Sequence, residues 1–147
     1  MDLAYPYHDL THEIIGAGYR VHRTWGFGFL ESVYRRALVV ELEHAGIESK
    51  CEVPFELHHR GVPIGLYRAD LIVAGKVIVE VKSGLLLDPA SVPQTLNYLR
   101  ASGLLVGLIT YFGPRFRVKR LTDFDSADRL LRKPVVTDCT EDTDDTE

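Results

Sequence analysis

Val77-Ile78-Val79-Glu80-Val81-Lys82-Ser83 carries an acid and a base two residues apart inside an otherwise apolar run. Four of the seven residues are Val or Ile, so the stretch reads as a buried, central β-strand. Side chains alternate along a strand, which puts Glu80 and Lys82 on one face and Val77, Val79 and Val81 on the other. Upstream, Tyr67-Arg68-Ala69-Asp70-Leu71-Ile72-Val73 repeats the pattern, with Tyr67, Ala69, Leu71 and Val73 expected on one face and Asp70 on the other. Ala74-Gly75-Lys76 joins the two strands in a tight turn. An odd-numbered loop sets Asp70 opposite Glu80 and makes the two apolar faces coincide. An even loop would turn Asp70 onto the core face, because a one-residue slip exchanges the faces of a strand. The pattern therefore predicts the odd register, and with it an Asp, a Glu and a Lys on one patch of sheet.

Charge decides what such a patch can do. Two carboxylates a few ångströms apart repel, and the repulsion is relieved by protonating one or by binding a hard dication such as Mg²⁺. A neighbouring Lys suits an anionic substrate or an activated water, and a metal with an ammonium group can stabilise the charge that grows as a phosphodiester is attacked. The same residues also read as a surface hairpin with a cross-strand ion pair, Glu80 with Arg68 or Lys82, worth a fraction of a kcal/mol.

The 147 residues suffice for one domain with a sizeable core, and 46% hydrophobic and 26% charged residues are those of an ordinary soluble globular protein. The net charge of −4 is unevenly placed, since the stretch 137–147 holds six acids and no base. The rest has 15 acids against 17 Lys and Arg, a body near +2 that is compatible with a polyanionic partner without demanding one. Cys51 and Cys139 make no disulfide framework, which favours a reducing cytoplasm. Neither a signal peptide nor a membrane span is read, the longest apolar run being Leu104 to Phe112.

Periodicity orders the chain. A first helix capped by Asp9 or Thr11 runs to about Trp25, and Gly26-Phe27-Gly28 turns into a second helix from Leu30 to Ala45, stopped by Gly46-Ile47. Residues 49–57 alternate as an antiparallel strand with Ser49, Cys51, Val53, Phe55 and Leu57 on one face, and Pro54 places it near an edge or bulge. The adjacent His58 and His59 point to opposite faces and read as turn residues rather than ligands. Asp88-Pro89 opens a third helix that ends at Gly103, with Gln94 and Tyr98 four apart on one face. Leu105 to Phe112 is a second buried strand and Phe116 to Leu121 a more exposed one. A short helix over 126–133 and a disordered acidic tail over 134–147 complete the expectation, with 1–133 as the single domain. Taken alone, Glu31 in the first turn of the second helix reads as a helix-dipole interaction.

This order of elements, with carboxylates on the second and third strands, resembles the PD-(D/E)xK nuclease superfamily. Gly28-Phe29-Leu30-Glu31-Ser32-Val33-Tyr34 is similar to the motif that names its GxxExxY branch, while Asp70, Glu80-Val81-Lys82 and Gln94-Thr95-Leu96-Asn97-Tyr98 resemble motifs of RecB-like nucleases. The resemblance covers about residues 8–121. It implies an α/β restriction-endonuclease-like core, a central mixed sheet flanked by helices in the order ααβββαβ, with an extra C-terminal strand. It further implies that Asp70, Glu80 and the Val81 carbonyl hold Mg²⁺ or Mn²⁺, that Lys82 orients or activates water, and that Glu31 serves the metal shell or a water. Gln94 and Tyr98 would border the site and touch nucleic acid. Two cysteines exclude the four-cysteine iron-sulfur cluster of some relatives. A metal-dependent nuclease on DNA is the leading expectation; a silent nuclease fold that binds nucleic acid or protein, and a phosphodiesterase for small nucleotides, are the alternatives.

Overall fold

A computed structural model describes residues 6–123; the expected helix over 126–133 and the acidic tail lie outside them. Helices α1 (His8–Trp25) and α2 (Glu31–His44) precede strands β1 (Ser49–His59), β2 (Val62–Val73) and β3 (Val77–Ser83). Helix α3 (Ser91–Ser102) and strands β4 (Val106–Phe112) and β5 (Phe116–Thr122) follow. The strands form one sheet in the order β1-β2-β3-β4-β5, antiparallel except for the parallel pair β3 and β4. This is the expected α/β architecture with a mixed sheet and an additional final strand. β3 lies at its centre, and Val77 to Val81 are all buried.

The sheet separates two cores. On one face Leu71, Val73, Val77, Val79, Val81, Val106 and Leu108 pack under α1 and α2, which contribute Ile14, Ala17, Val21, Tyr34, Leu38 and Leu42. On the other, Val53, Phe55, Ile72, Ile78, Ile109 and Leu121 pack with Leu99 of α3. Helix α2 stops where Gly46 turns left-handed, and the Gly46 and Ile47 amides return to the carbonyls of Glu43 and Leu42.

Two helix starts differ from the expectation. α1 begins at His8 after Tyr7 in a left-handed conformation, without a side-chain cap. Thr11 lies inside the helix, where its hydroxyl donates to the His8 carbonyl, and Arg120 of β5 secures this end by donating to the Thr11 hydroxyl and the Pro6 carbonyl. α3 begins at Ser91 rather than at Pro89, because Asp88 caps a turn instead, accepting from the Ala90 and Ser91 amides.

Helix α1 meets the sheet through a glycine. A Cβ on Gly18 would lie 2.2 Å from Cζ of the Phe116 ring, itself buried among core residues. Alanine in place of a helical glycine ordinarily stabilises by about 1 kcal/mol. Here overpacking dominates, and Gly18→Ala is expected to destabilise the fold by about 1–3 kcal/mol in thermal or denaturant unfolding; an increase in stability would show that the ring yields freely.

Candidate active site

Val73↔Val77, Ile72↔Ile78 and Leu71↔Val79 pair across the three-residue loop, which is the odd register. One step further the same count sets Asp70 opposite Glu80, and there the backbone ladder ends. Asp70 Oδ2 accepts the Val81 amide at 2.8 Å, so a side chain takes the bond that the neighbouring strand would otherwise take. N–H and C=O of one strand residue share an edge, so the Val81 carbonyl faces the same opening between β2 and β3.

Glu80 is buried on the α3 side of the sheet and accepts a hydrogen bond from the Tyr67 hydroxyl at 2.5 Å. Its backbone carbonyl accepts from the Thr110 hydroxyl on β4. Burial pushes the Glu80 carboxyl up to about 8, helped by the charge of Asp70 and a hydrogen bond between the two carboxyls and opposed by Tyr67 and Lys82. Burial also raises the Tyr67 hydroxyl, and next to it the negative charge of Glu80 does the same. Without a cation, the site therefore favours the protonated form of Glu80.

Tyr67 corrects the sequence-based assignment of faces. It was expected with Leu71 and Val73, away from Asp70, yet it lies with Ala69 in the core beneath α3. The alternation of β2 breaks between Ala69 and Leu71, opposite Glu52, whose φ of 49° is left-handed. The same break leaves Cys51 exposed beside buried Val53. Tyr67 is stacked between Phe55 and Tyr98, so α3 closes over the aromatic that reaches Glu80. Since Tyr67 donates to the charged form of Glu80, Tyr67→Phe should raise the Glu80 pKa further. The acidic limb of any pH–rate profile would then move to higher pH; an unchanged limb would show that the hydroxyl is idle.

Lys82 shares the Glu80 side of β3 and among the described residues makes no direct ion pair, though its charge acts on Glu80, Tyr98 and Glu31. Glu31 is the first residue of α2 and reaches the end of β3 from the opposite layer. Although it is exposed, partial burial raises its carboxyl above the ordinary range; Asp70 adds to this, while Lys82, the Ser83 backbone and Arg35 oppose it. Glu31 thus lies within electrostatic reach of Asp70 and Lys82 rather than serving the helix dipole alone. Gln94 is exposed one turn before Tyr98 and makes no side-chain hydrogen bond among the described residues.

Gly28 and Tyr34 shape the loop that leads into Glu31. Gly28 has φ 116°, open to glycine and strained for other residues. Tyr34, fully buried and stacked on Phe112, donates to the Gly26 carbonyl at 2.6 Å and accepts from the Phe29 amide at 3.2 Å. It ties the loop before Glu31 to the sheet.

A cation fits the donor chemistry of Asp70, Glu80 and the Val81 carbonyl, which are hard oxygens of net negative charge once Glu80 loses its proton. Among the described residues no three His, Cys, Asp or Glu side chains form a metal-holding group, so water would complete the shell. Mg²⁺ characteristically keeps several waters.

With this geometry in view, the family model for the PD-(D/E)XK nuclease superfamily matches residues 8–121. The chain belongs to the PD-(D/E)XK nuclease superfamily. No curated protein matches it. Three solved chains do, among them the crystal structure of SSO0001, with 19% identity over 71% of this chain and a TM-score of 0.49. The chain covers 61% of that protein's length. Among the described residues of this superfamily member, no helix is long and apolar enough to cross a membrane.

Proposed function

We propose that the chain is a metal-dependent nuclease of the GxxExxY type, hydrolysing phosphodiester bonds in nucleic acid, with DNA as the favoured substrate and the cytoplasm as its setting. The observation that carries this reading is the buried Glu80 beside Asp70 at the end of a central strand that also presents Lys82. A silent binding module leaves the desolvation of Glu80 beside a second acid without a purpose.

Asp70, Glu80 and the Val81 carbonyl would hold Mg²⁺ or Mn²⁺. A bound dication supplies positive charge against a phosphate that becomes more anionic in the transition state. Lys82, with no carboxylate bound to its ammonium, orients the attacking water and offsets phosphate charge. Glu31 holds a water on the other side of the strand ends, and its raised pKa suits it to take up a proton. Tyr67 keeps the Glu80 carboxyl fixed, and Tyr98 and Gln94 border the substrate. The test is incubation of purified protein with linear and circular DNA and RNA in Mg²⁺, Mn²⁺ or EDTA. Cleavage of DNA with a dication and none in EDTA is expected; no cleavage of any substrate, or undiminished cleavage in EDTA, would overturn the reading.

A further inference from the structure

Three residues after Lys82 the chain exposes two consecutive leucines, Leu85 at 73% and Leu86 at 87%. Single exposed leucines are ordinary. These two belong to a groove of about 440 Å³, which Leu87, Tyr111, Pro114, Arg115 and Arg117 complete. Its lining holds two guanidinium groups and no carboxylate. Neither Arg115 nor Arg117 has an ion-pair partner among the described residues.

The walls of the groove are tied together. The Tyr111 hydroxyl donates to the Gly84 carbonyl at 2.6 Å, fixing the loop after β3 against β4. The ring lies so close over Gly113 that an added Cβ would meet it at 2.4 Å, and the Gly113 carbonyl pairs with His22 Nε2 at 2.8 Å. The β4–β5 turn and the leucine loop are thus held at the same end of the sheet as Lys82.

We propose that this groove takes a nucleic-acid strand with unpaired nucleotides, its phosphates on Arg115 and Arg117 and its unstacked bases against Leu85 and Leu86. Guanidinium groups answer a phosphate backbone, but the leucines gain nothing from one. A paired duplex keeps its base faces stacked inside, whereas a single strand or a splayed end offers them to apolar side chains. The inference rests on the nuclease reading for the identity of the polyanion and narrows its substrate to single strands or duplexes with an unpaired arm. Leucines beside arginines, a few residues from the reacting lysine, favour this occupant over a peptide, which would have to lie across the path of the scissile strand.

The test is fluorescence anisotropy of the full chain in EDTA with a labelled single strand, a blunt duplex of the same sequence and a duplex with an unpaired arm. The single strand and the armed duplex should bind about tenfold tighter than the blunt duplex. Leu85→Ser/Leu86→Ser should weaken those two by about tenfold and so remove the preference. Arg115→Gln/Arg117→Gln should weaken all three ligands and reduce the single-strand salt slope by roughly 1.4, for two lost phosphate contacts. All four side chains are exposed, and circular dichroism checks that the variants fold. Equal affinity for the three ligands, no binding to any of them, or a leucine variant that matches the wild type overturns the proposal. Because binding is read without a dication, intact binding preferences with no cleavage under Mg²⁺ or Mn²⁺ would overturn the nuclease reading and leave the groove assignment standing.

Discussion

Asp70→Ala and Glu80→Ala should each remove both cation binding and cleavage, whereas Lys82→Ala should remove cleavage and keep the cation. The two carboxylates are the only side-chain ligands assigned, so losing either empties the position from which charge on the phosphate is offset. That corresponds to several kcal/mol of transition-state stabilisation, roughly a thousandfold or more in rate. Lys82 projects from the same strand face and is assigned to water and phosphate, so its loss is read in rate alone. Gln94→Ala, at an exposed position on α3, should retain much of both. Single-turnover cleavage and calorimetric titration with Mn²⁺ separate loss of rate from loss of the cation. Glu80→Gln is the structural control, because the amide oxygen can still accept from Tyr67 and the amide N–H can donate to Asp70. An Asp70→Ala protein that cuts near the wild-type rate would overturn the assignment.

The second large effect is on pH. A cation entering the site must displace the proton that Glu80 holds below about pH 8. Apparent affinity for Mn²⁺ should therefore rise by about tenfold per pH unit on approach to pH 8 and then level off, with about one proton released per ion at pH 7. The metal-free protein should show the opposite trend in stability. The folded pKa is raised above the ordinary carboxylate value of 4.5, so native protein binds more protons than unfolded chain between about pH 4.5 and 8. The contribution of Glu80 is complete below the unfolded value and is lost as pH rises through the folded one. Metal-free Glu80→Gln should thus be more stable than wild type at pH 9, by up to a few kcal/mol. Denaturant unfolding at pH 5, 7 and 9 reads the difference. A wild-type stability that rises across this range relative to the Gln variant would contradict a protonated Glu80.

Much of the fold followed from patterns that local physics enforces. The run of Val and Ile in β3, the odd turn after Val73 and the Gly46 stop each reflect a short-range rule of burial or backbone geometry, and the structure has them where the rules place them. The meeting of Asp70 with Glu80 was legible for the same reason, since register follows from the apolar faces. Tyr67 was not, because alternation assumes an unbroken pleat and Glu52 breaks it from the neighbouring strand. One local sign existed: Leu71-Ile72-Val73 is apolar at three successive positions, so both faces are covered there and alternation no longer fixes the strand's orientation. The start of α1 depends on Arg120, more than a hundred residues away, which no capping rule can anticipate.

The bond from the Val81 amide to Asp70 gives the protein a built-in reporter. That N–H is held by a carboxylate instead of a carbonyl, so its proton and nitrogen chemical shifts should follow the charge of the carboxyl pair directly. A single backbone resonance, at a position with no side chain in the chemistry, would then register both the departure of the Glu80 proton and the arrival of a cation, without any substitution at the site itself.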